Sequence, residues 1–136
     1  MKLDKDQLDR FRAEGFLFLP ECFSFAESQV LLEEAHNVYQ LDRPEVVLET
    51  TGVARAAFAA PPYNDAFARL GAHPRLIQPV VQILGEDVYM HQYKVNAKAA
   101  FDGEVWQWHQ DFGTWHRDDE MPEPVSYTHL TLPTNR

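Results

Sequence analysis

The spacing of hydrophobic residues changes once along this chain of 136 residues, and that change most constrains its fold. In several segments before residue 85 the apolar residues recur at helical intervals, and Ser24 with Glu27 forms a capping box for a helix expected to reach about Gln40. From Val88 onward apolar and polar residues alternate, which predicts an extended strand. The order predicts an α+β fold in which helices come first and antiparallel strands follow.

Glycine, proline and short polar residues mark the ends of the other predicted helices. These helices are expected over 3–14 with Gly15 as its left-handed cap, from Asn64 or Asp65 to Leu70, and over 75–84 with Gly85 as its stop. The chain shows no internal repeat and no sign of a second domain.

The remaining segments carry strand or loop signals. The apolar run 16–19, stopped by Pro20, predicts a strand buried on both faces. Residues 41–62 have no clear period and are interpreted as a connector. The turn at Asp102 and Gly103 separates the strand that follows Val88 from a second predicted strand over 104–111.

Charge and cysteine content exclude several classes of partner and site. Twelve Lys and Arg against 21 Asp and Glu give a formal charge of −9, the wrong sign for binding nucleic acid or an anionic membrane. One cysteine, Cys22, makes neither an internal disulfide nor a cysteine-based zinc cluster. The N-terminus lacks the apolar core of a signal peptide, and no stretch approaches the roughly 20 apolar residues of a membrane span. We expect a soluble, cytoplasmic protein with a small-molecule substrate.

The last twelve residues differ in character from the rest of the chain. Residues 125–136 contain three Thr, no acidic residue, and Arg136 as their one charged group. Their sequence resembles translated sequencing-adapter read-through, although a native edge strand would alternate in the same way. We interpret 125–136 as a non-native tail and 1–124 as the N-terminal part of a single domain.

A dense cluster of aromatic and metal-binding side chains lies at 106–116. In an extended chain His109 and Asp111 point to the same side, so an imidazole nitrogen and a carboxylate oxygen can reach one metal ion. This pair is two thirds of the 2-His-1-carboxylate arrangement that binds non-haem Fe(II). His116 and His129 are the nearest candidates for a third ligand, and neither has convincing spacing. The alternative is a strand histidine that is hydrogen-bonded to a nearby aspartate.

The sequence around this cluster resembles the phytanoyl-CoA dioxygenase family, and most closely its ectoine-hydroxylase-like branch. The resemblance covers about residues 1–124, including the Gly15-Phe16 opening. Its motifs are Gln92-Tyr93-Lys94-Val95-Asn96-Ala97-Lys98, Ala100-Phe101-Asp102-Gly103, Trp106-Gln107-Trp108-His109-Gln110-Asp111, Trp115 and Met121-Pro122.

The resemblance implies a double-stranded β-helix (a cupin-like jelly roll) of which this chain holds the helices and the first strands. It implies a hydroxylase that uses Fe(II), 2-oxoglutarate and dioxygen, with His109 and Asp111 as the first two metal ligands. The distal histidine and the arginine that binds 2-oxoglutarate would come from later strands, so we expect the fragment to be inactive and poorly soluble.

Other site residues follow from the same resemblance. Trp106 matches an aromatic position beside 2-oxoglutarate, and Trp115 one that contacts substrate. The polar face of the preceding strand would line the barrel mouth, with Gln92 at the substrate and Asn96 at the cosubstrate. Strict alternation places Trp106 opposite His109, which a bulge would reconcile.

The sequence leaves alternatives for the substrate and for the class of protein. Gln110 and Gly113 stand where the ectoine hydroxylases carry a serine and an acidic residue, which puts ectoine itself in doubt and leaves a small polar or zwitterionic molecule. A non-catalytic ligand-binding module of the same fold is the alternative from another class. A metal-dependent cupin hydrolase or isomerase is a third possibility, from which succinate production would distinguish the oxygenase.

Overall fold

The structure is a computed structural model that describes residues 1–103, 105, 107–109 and 111–120. Helices and short strands alternate along these residues. They are α1 (Lys5–Glu14), α2 (Phe25–Tyr39), β1 (Val46–Leu48), β2 (Ala54–Phe58), a 3₁₀ turn (Pro61–Tyr63), α3 (Asp65–Gly71), α4 (Pro74–Leu84), β3 (Lys94–Asn96) and α5 (Asp111–Asp118).

The predicted helix ends are confirmed where capping groups were visible in the sequence. Ser24 accepts a hydrogen bond from the Glu27 amide at the start of α2, and the Glu27 carboxylate accepts one from the Ser24 amide. Asn64 caps α3 by accepting from the Phe67 amide. Gly15 and Gly85, both at φ 78°, close α1 and α4 in the left-handed conformation that glycine adopts without strain.

The strands form one antiparallel sheet in the order β1-β2-β3. The register aligns Val46, Ala57 and Val95 across the sheet, and this row packs against the buried core. The next row along, Val47 with Ala56 and Asn96, points to the opposite face because strand side chains alternate. The sheet therefore has a helix-covered face and a second face, which we call the open face.

The core lies between the sheet and helices α2 and α3. Its buried members are Ala35, Val38, Ala57, Ala60, Phe67 and Leu70. Val38 and Ala57 are only 1% and 0% exposed, so the helix meets the strand with almost no space between them. Tyr93 completes this layer against Phe67, with ring centroids 6.0 Å apart, and its burial raises the pKa of the phenol to about 12.

Two local predictions are wrong. The run 16–19 forms no strand, and Phe16 and Phe18 are 62% and 74% exposed, so a continuous apolar run did not indicate burial within the described residues. The predicted connector 41–62 contains the β1–β2 hairpin. The second strand of the hairpin is rich in alanine, which has little β-propensity. The turn is stabilised by the buried Glu49 carboxylate, which accepts a hydrogen bond from Arg55 at 3.0 Å.

The order of elements also differs from the prediction of helices followed by strands. Two strands precede α3 and α4, and the structure is a mixed α/β arrangement with a small antiparallel sheet. The predicted strand after Val88 is confirmed only as the short β3. Of the predicted strand 104–111, the described residues 105 and 107–109 are not in a strand, and Asp111 begins a helix. The tail 125–136 lies outside the described residues. In the part of the chain that the structure describes, no helix is long and apolar enough to cross a membrane.

Arg75 joins the starts of α2 and α4. Its guanidinium donates to the Cys22 carbonyl at 2.6 Å and to both carboxylate oxygens of Glu27, and it stacks over the Phe23 ring at 4.4 Å. The hydrogen bond from Arg75, with those from Ser24, lowers the pKa of Glu27 from 4.5 to about 2.

The Glu27 shift predicts an acid-sensitive contribution to stability. A carboxyl whose pKa is lower in the folded state stabilises the fold above its unfolded pKa of 4.5, and this contribution is lost as the pH falls through about 2. Glu27→Gln should lower the melting temperature at pH 7, and the difference from wild type should shrink between pH 4.5 and 2. A difference that stays constant over that range would contradict the assignment.

The α3 cap gives a second test of the fold. Asn64 also donates to the Glu34 carboxylate at 2.6 Å, which links α3 to α2. Asn64→Ala removes both interactions and should destabilise the protein by about 1–2 kcal/mol in denaturant unfolding. Asn64→Ser is the matched control, because serine can cap the helix but is too short to reach Glu34, and it should recover part of the loss.

Candidate functional site

The chain leaves β3 through a tight turn and reaches the candidate site without regular structure. The Gly103 amide donates to the Ala99 carbonyl at 3.1 Å, and Lys98 donates to the Gly103 carbonyl at 3.3 Å. Beyond this turn Val105 and Trp108 are 80% and 103% exposed. Helix α5 then begins at Asp111.

His109 and Asp111 meet where the irregular segment enters the helix. The His109 Nε2 atom lies 3.1 Å from Asp111 Oδ1. The other imidazole nitrogen, Nδ1, lies 2.7 Å from the Gln107 carbonyl oxygen. A carbonyl oxygen only accepts, so Nδ1 is the nitrogen that donates to Gln107, and Nε2 is the nitrogen that faces the Asp111 carboxylate. The pair predicted from strand geometry is thus brought together by a helix start.

This arrangement fits a metal ion. An imidazole nitrogen and a carboxylate oxygen are both ligands that divalent transition metals take in proteins. Two ligands bound at right angles, each about 2.1 Å from one ion, lie about 3.0 Å apart, close to the separation observed here. The Gln107 carbonyl supplies the outer hydrogen bond that orients metal-binding histidines. His109 and Asp111 could therefore hold two adjacent positions on a divalent metal.

A third ligand is not found among the residues that the structure describes, since no group of three His, Cys, Asp or Glu side chains there could hold a metal ion. His116 lies on α5 and is exposed, and His129 lies outside the described residues.

The other predicted site residues are only partly brought together. Asn96 ends β3 on the open face of the sheet, and Gln92 lies two residues before that strand; both are exposed. Trp115 lies on α5, half-buried, with its ring centroid 6.1 Å from that of His91, the neighbour of Gln92. Trp106 lies outside the described residues.

The sequence analysis missed two residues that connect these parts. His91 Nε2 lies 2.9 Å from Asp119 Oδ2, which ties the segment before β3 to the end of α5. The only signal in the sequence was the spacing of Asp111, Trp115 and Asp119 by four residues, which becomes meaningful once this segment is known to be helical.

Comparison with known proteins agrees with the sequence motifs. The sequence profile of the family described as phytanoyl-CoA dioxygenase (PhyH) matches residues 11–132, most of the chain. The chain belongs to this family. It is 38% identical over 116 residues to L-proline trans-4-hydroxylase of Streptomyces griseoviridis, covering 85% of this chain and 43% of that protein. It is 36% identical over 125 residues to ectoine dioxygenase of Bordetella bronchiseptica, covering 88% and 41%.

Solved structures of the family resemble the described fold. A crystal structure of EctD from S. alaskensis with 2-oxoglutarate and 5-hydroxyectoine superimposes with a TM-score of 0.79 at 34% identity, covering 88% of this chain and 44% of that one. A second structure of EctD, with bound Fe, gives a TM-score of 0.76 at 33% identity, covering 84% and 42%. The chain spans about two fifths of the length of the relatives it matches.

The geometry of His109 and Asp111 predicts a loss of metal affinity on substitution. Residues that support a ligand through a hydrogen bond change metal affinity by about 10- to 100-fold, so His109→Ala, which removes a ligand itself, should weaken Fe(II) binding at least about 100-fold. Asp111→Asn should weaken it similarly while preserving shape. Anaerobic titration with Fe(II) measures both. His36→Ala, an exposed histidine on α2, is the matched control and should bind as wild type does.

Proposed function

We propose that the protein containing this chain is an Fe(II)- and 2-oxoglutarate-dependent dioxygenase that hydroxylates a small organic substrate. The observation that carries the proposal is the 3.1 Å distance between His109 Nε2 and Asp111 Oδ1. This pair lies in a chain that belongs to the phytanoyl-CoA dioxygenase family. The relatives named for ectoine or proline hydroxylation favour an enzyme over a non-catalytic binding module.

The open face of the sheet supports the proposed double-stranded β-helix. Val47 and Phe58 on that face are 38% and 36% exposed, and the polar Asn96 lies on the same face, in one row with Val47 and the buried Ala56. A face that mixes apolar and polar side chains in this way is suited to the inside of a barrel that holds a ligand. Residues 1–124 would then be the N-terminal part of one oxygenase domain, with residues 125–136 as a non-native tail.

Each proposed site residue has a role that its position supports. His109 and Asp111 hold the metal, His109 with its ring fixed by the Gln107 carbonyl. Asn96 donates from its side-chain amide to a carboxylate of 2-oxoglutarate at the open face. The family resemblance assigns Trp106 to the same cosubstrate. It assigns Gln92 and Trp115 to the substrate, and both are neighbours of His91, the first in the chain and the second by a ring contact. Fe(II), when bound with 2-oxoglutarate and dioxygen, supplies the oxidising chemistry.

The substrate class follows from the relatives together with the residues that differ. Proline and ectoine, the substrates named for these relatives, are both small cyclic zwitterions. Trp115 offers an apolar ring face to the body of such a molecule, and Gln92 offers a donor and an acceptor to its polar groups. Because Gln110 and Gly113 depart from the ectoine branch, we propose a small zwitterionic amino acid rather than ectoine itself.

A turnover assay with the complete protein tests this function. With Fe(II), 2-oxoglutarate and dioxygen, L-proline or a related cyclic amino acid should gain one oxygen atom while an equal amount of succinate forms. His109→Ala should abolish both products, and His36→Ala should not change them. Metal binding without succinate for any substrate of this class would favour the hydrolase or binding module instead.

A further inference from the structure

Helix α5 presents one stripe of three functional side chains. Asp111, Trp115 and Asp119 are spaced by four residues, and the Asp119 amide donates to the Trp115 carbonyl at 3.1 Å, so the helical path continues through Asp119. Residues four apart lie above one another on a helix. Any rotation of α5 therefore moves the Asp111 carboxylate and the Trp115 ring together.

One side chain outside the helix contacts two members of this stripe. The His91 Nε2 atom lies 2.9 Å from Asp119 Oδ2, where the imidazole donates to the carboxylate. The same imidazole meets the Trp115 ring edge-on, at 6.1 Å between centroids and an interplanar angle of 73°. A directional hydrogen bond and a ring contact made by one imidazole constrain both the rotation and the position of the helix.

His91 is itself held by the core. Its neighbour Met90 packs so closely on α3 that a Cβ at Gly71 would lie 2.5 Å from the Met90 methyl carbon. On the other side, the Tyr93 carbonyl accepts from the Ala59 amide at 2.8 Å, and the Tyr93 ring packs on Phe67. The position of His91 is thus fixed from the same layer that forms the hydrophobic core.

We propose that His91 is a positioning residue: through Trp115 and Asp119 it holds α5 in the orientation that places the Asp111 carboxylate opposite His109. The inference rests on the proposed function in taking Asp111 as a metal ligand. His91 contacts neither the metal nor the substrate in this role. Because the core holds His91 in place, the contacts of His91 with Trp115 and Asp119 restrain α5, which follows an exposed segment.

The test measures metal affinity and the environment of Trp115 separately. Co(II) binding to the complete protein is followed by its visible absorption, and the indole N–H resonance of Trp115, assigned by its loss in Trp115→Phe, reports the ring contact. His91→Ala should shift that resonance and weaken Co(II) binding by about tenfold or more. His36→Ala should change neither.

Conservative variants distinguish positioning from general loss of structure. His91→Gln keeps an N–H donor at a similar reach, and Asp119→Asn keeps an acceptor, so both should restore most of the affinity. Asp119→Ala should resemble His91→Ala, and the double variant should be no weaker than either single one, because the two side chains act as one coupled pair. If His91→Ala fails to fold, Asp119→Ala replaces it in the comparison, because the Asp119 side chain is 45% exposed.

Two results would overturn the proposal. In the first, Asp119→Ala and His91→Ala keep wild-type Co(II) affinity, which would leave His91 as a packing residue only. In the second, His91→Gln and Asp119→Asn lose as much affinity as the alanine variants. A wild-type protein that binds no Co(II) would overturn both the positioning role and the proposed function. Co(II) binding that depends on His91 without any succinate production would overturn the proposed function alone.

Discussion

The close contact of β2 with helices α2 and α3 is the constraint on which the rest of the described structure depends. Ala57 is the central residue of the buried cross-strand row, and its small side chain lets Val38 and Phe67 approach the strand directly. Because protein interiors are close-packed, a larger residue there would force the helices away from the sheet. Ala57 thus sets the distance between the two layers, although alanine contributes little β-propensity of its own.

The candidate site is connected to this layer of strand and helices by a series of contacts. Tyr93 and Met90 pack on α3, the first against Phe67 and the second against Gly71, where the absence of a Cβ permits the approach. Between them His91 reaches α5, and α5 carries Asp111 to within 3.1 Å of His109. The Asp111 side chain is positioned by a helix rather than by a strand, and contacts through His91 connect that helix to the core.

Sequence reasoning succeeded where a local signal is sufficient. Capping side chains and terminal glycines predicted the helix ends, because a cap satisfies backbone groups within a few residues of itself. The pairing of His109 with Asp111 was also predicted, although from strand alternation, whereas the structure forms it at a helix start. Residue type and a spacing of two suffice to keep the pair within reach in either conformation. The roles of Asn96, Gln92, Trp106 and Trp115 remain predictions.

The predictions that were wrong depended on contacts between segments that are distant in the chain. The apolar run 16–19 predicted a buried strand, but burial depends on what packs against a segment, and Phe16 and Phe18 are exposed in the described structure. The hairpin within 41–62 went unrecognised because its stability comes from a buried ion pair, Glu49 with Arg55, and from pairing with β3 far along the chain. The contact of Asp119 with His91 was not predicted, because the two residues are 28 positions apart in the chain.

The sequence by itself determined the helix ends, the proximity of His109 to Asp111 and the family, since each is encoded by residue type and short spacing. Only the tertiary structure decided which face of the sheet is covered, that residues 111–118 are helical, and that His91 meets the stripe of Asp111, Trp115 and Asp119. Bringing together residues that are distant in the chain costs conformational entropy. Their contacts stabilise a fold only when the free energy gained from packing exceeds that cost. That balance depends on the whole layer and cannot be read from any one segment.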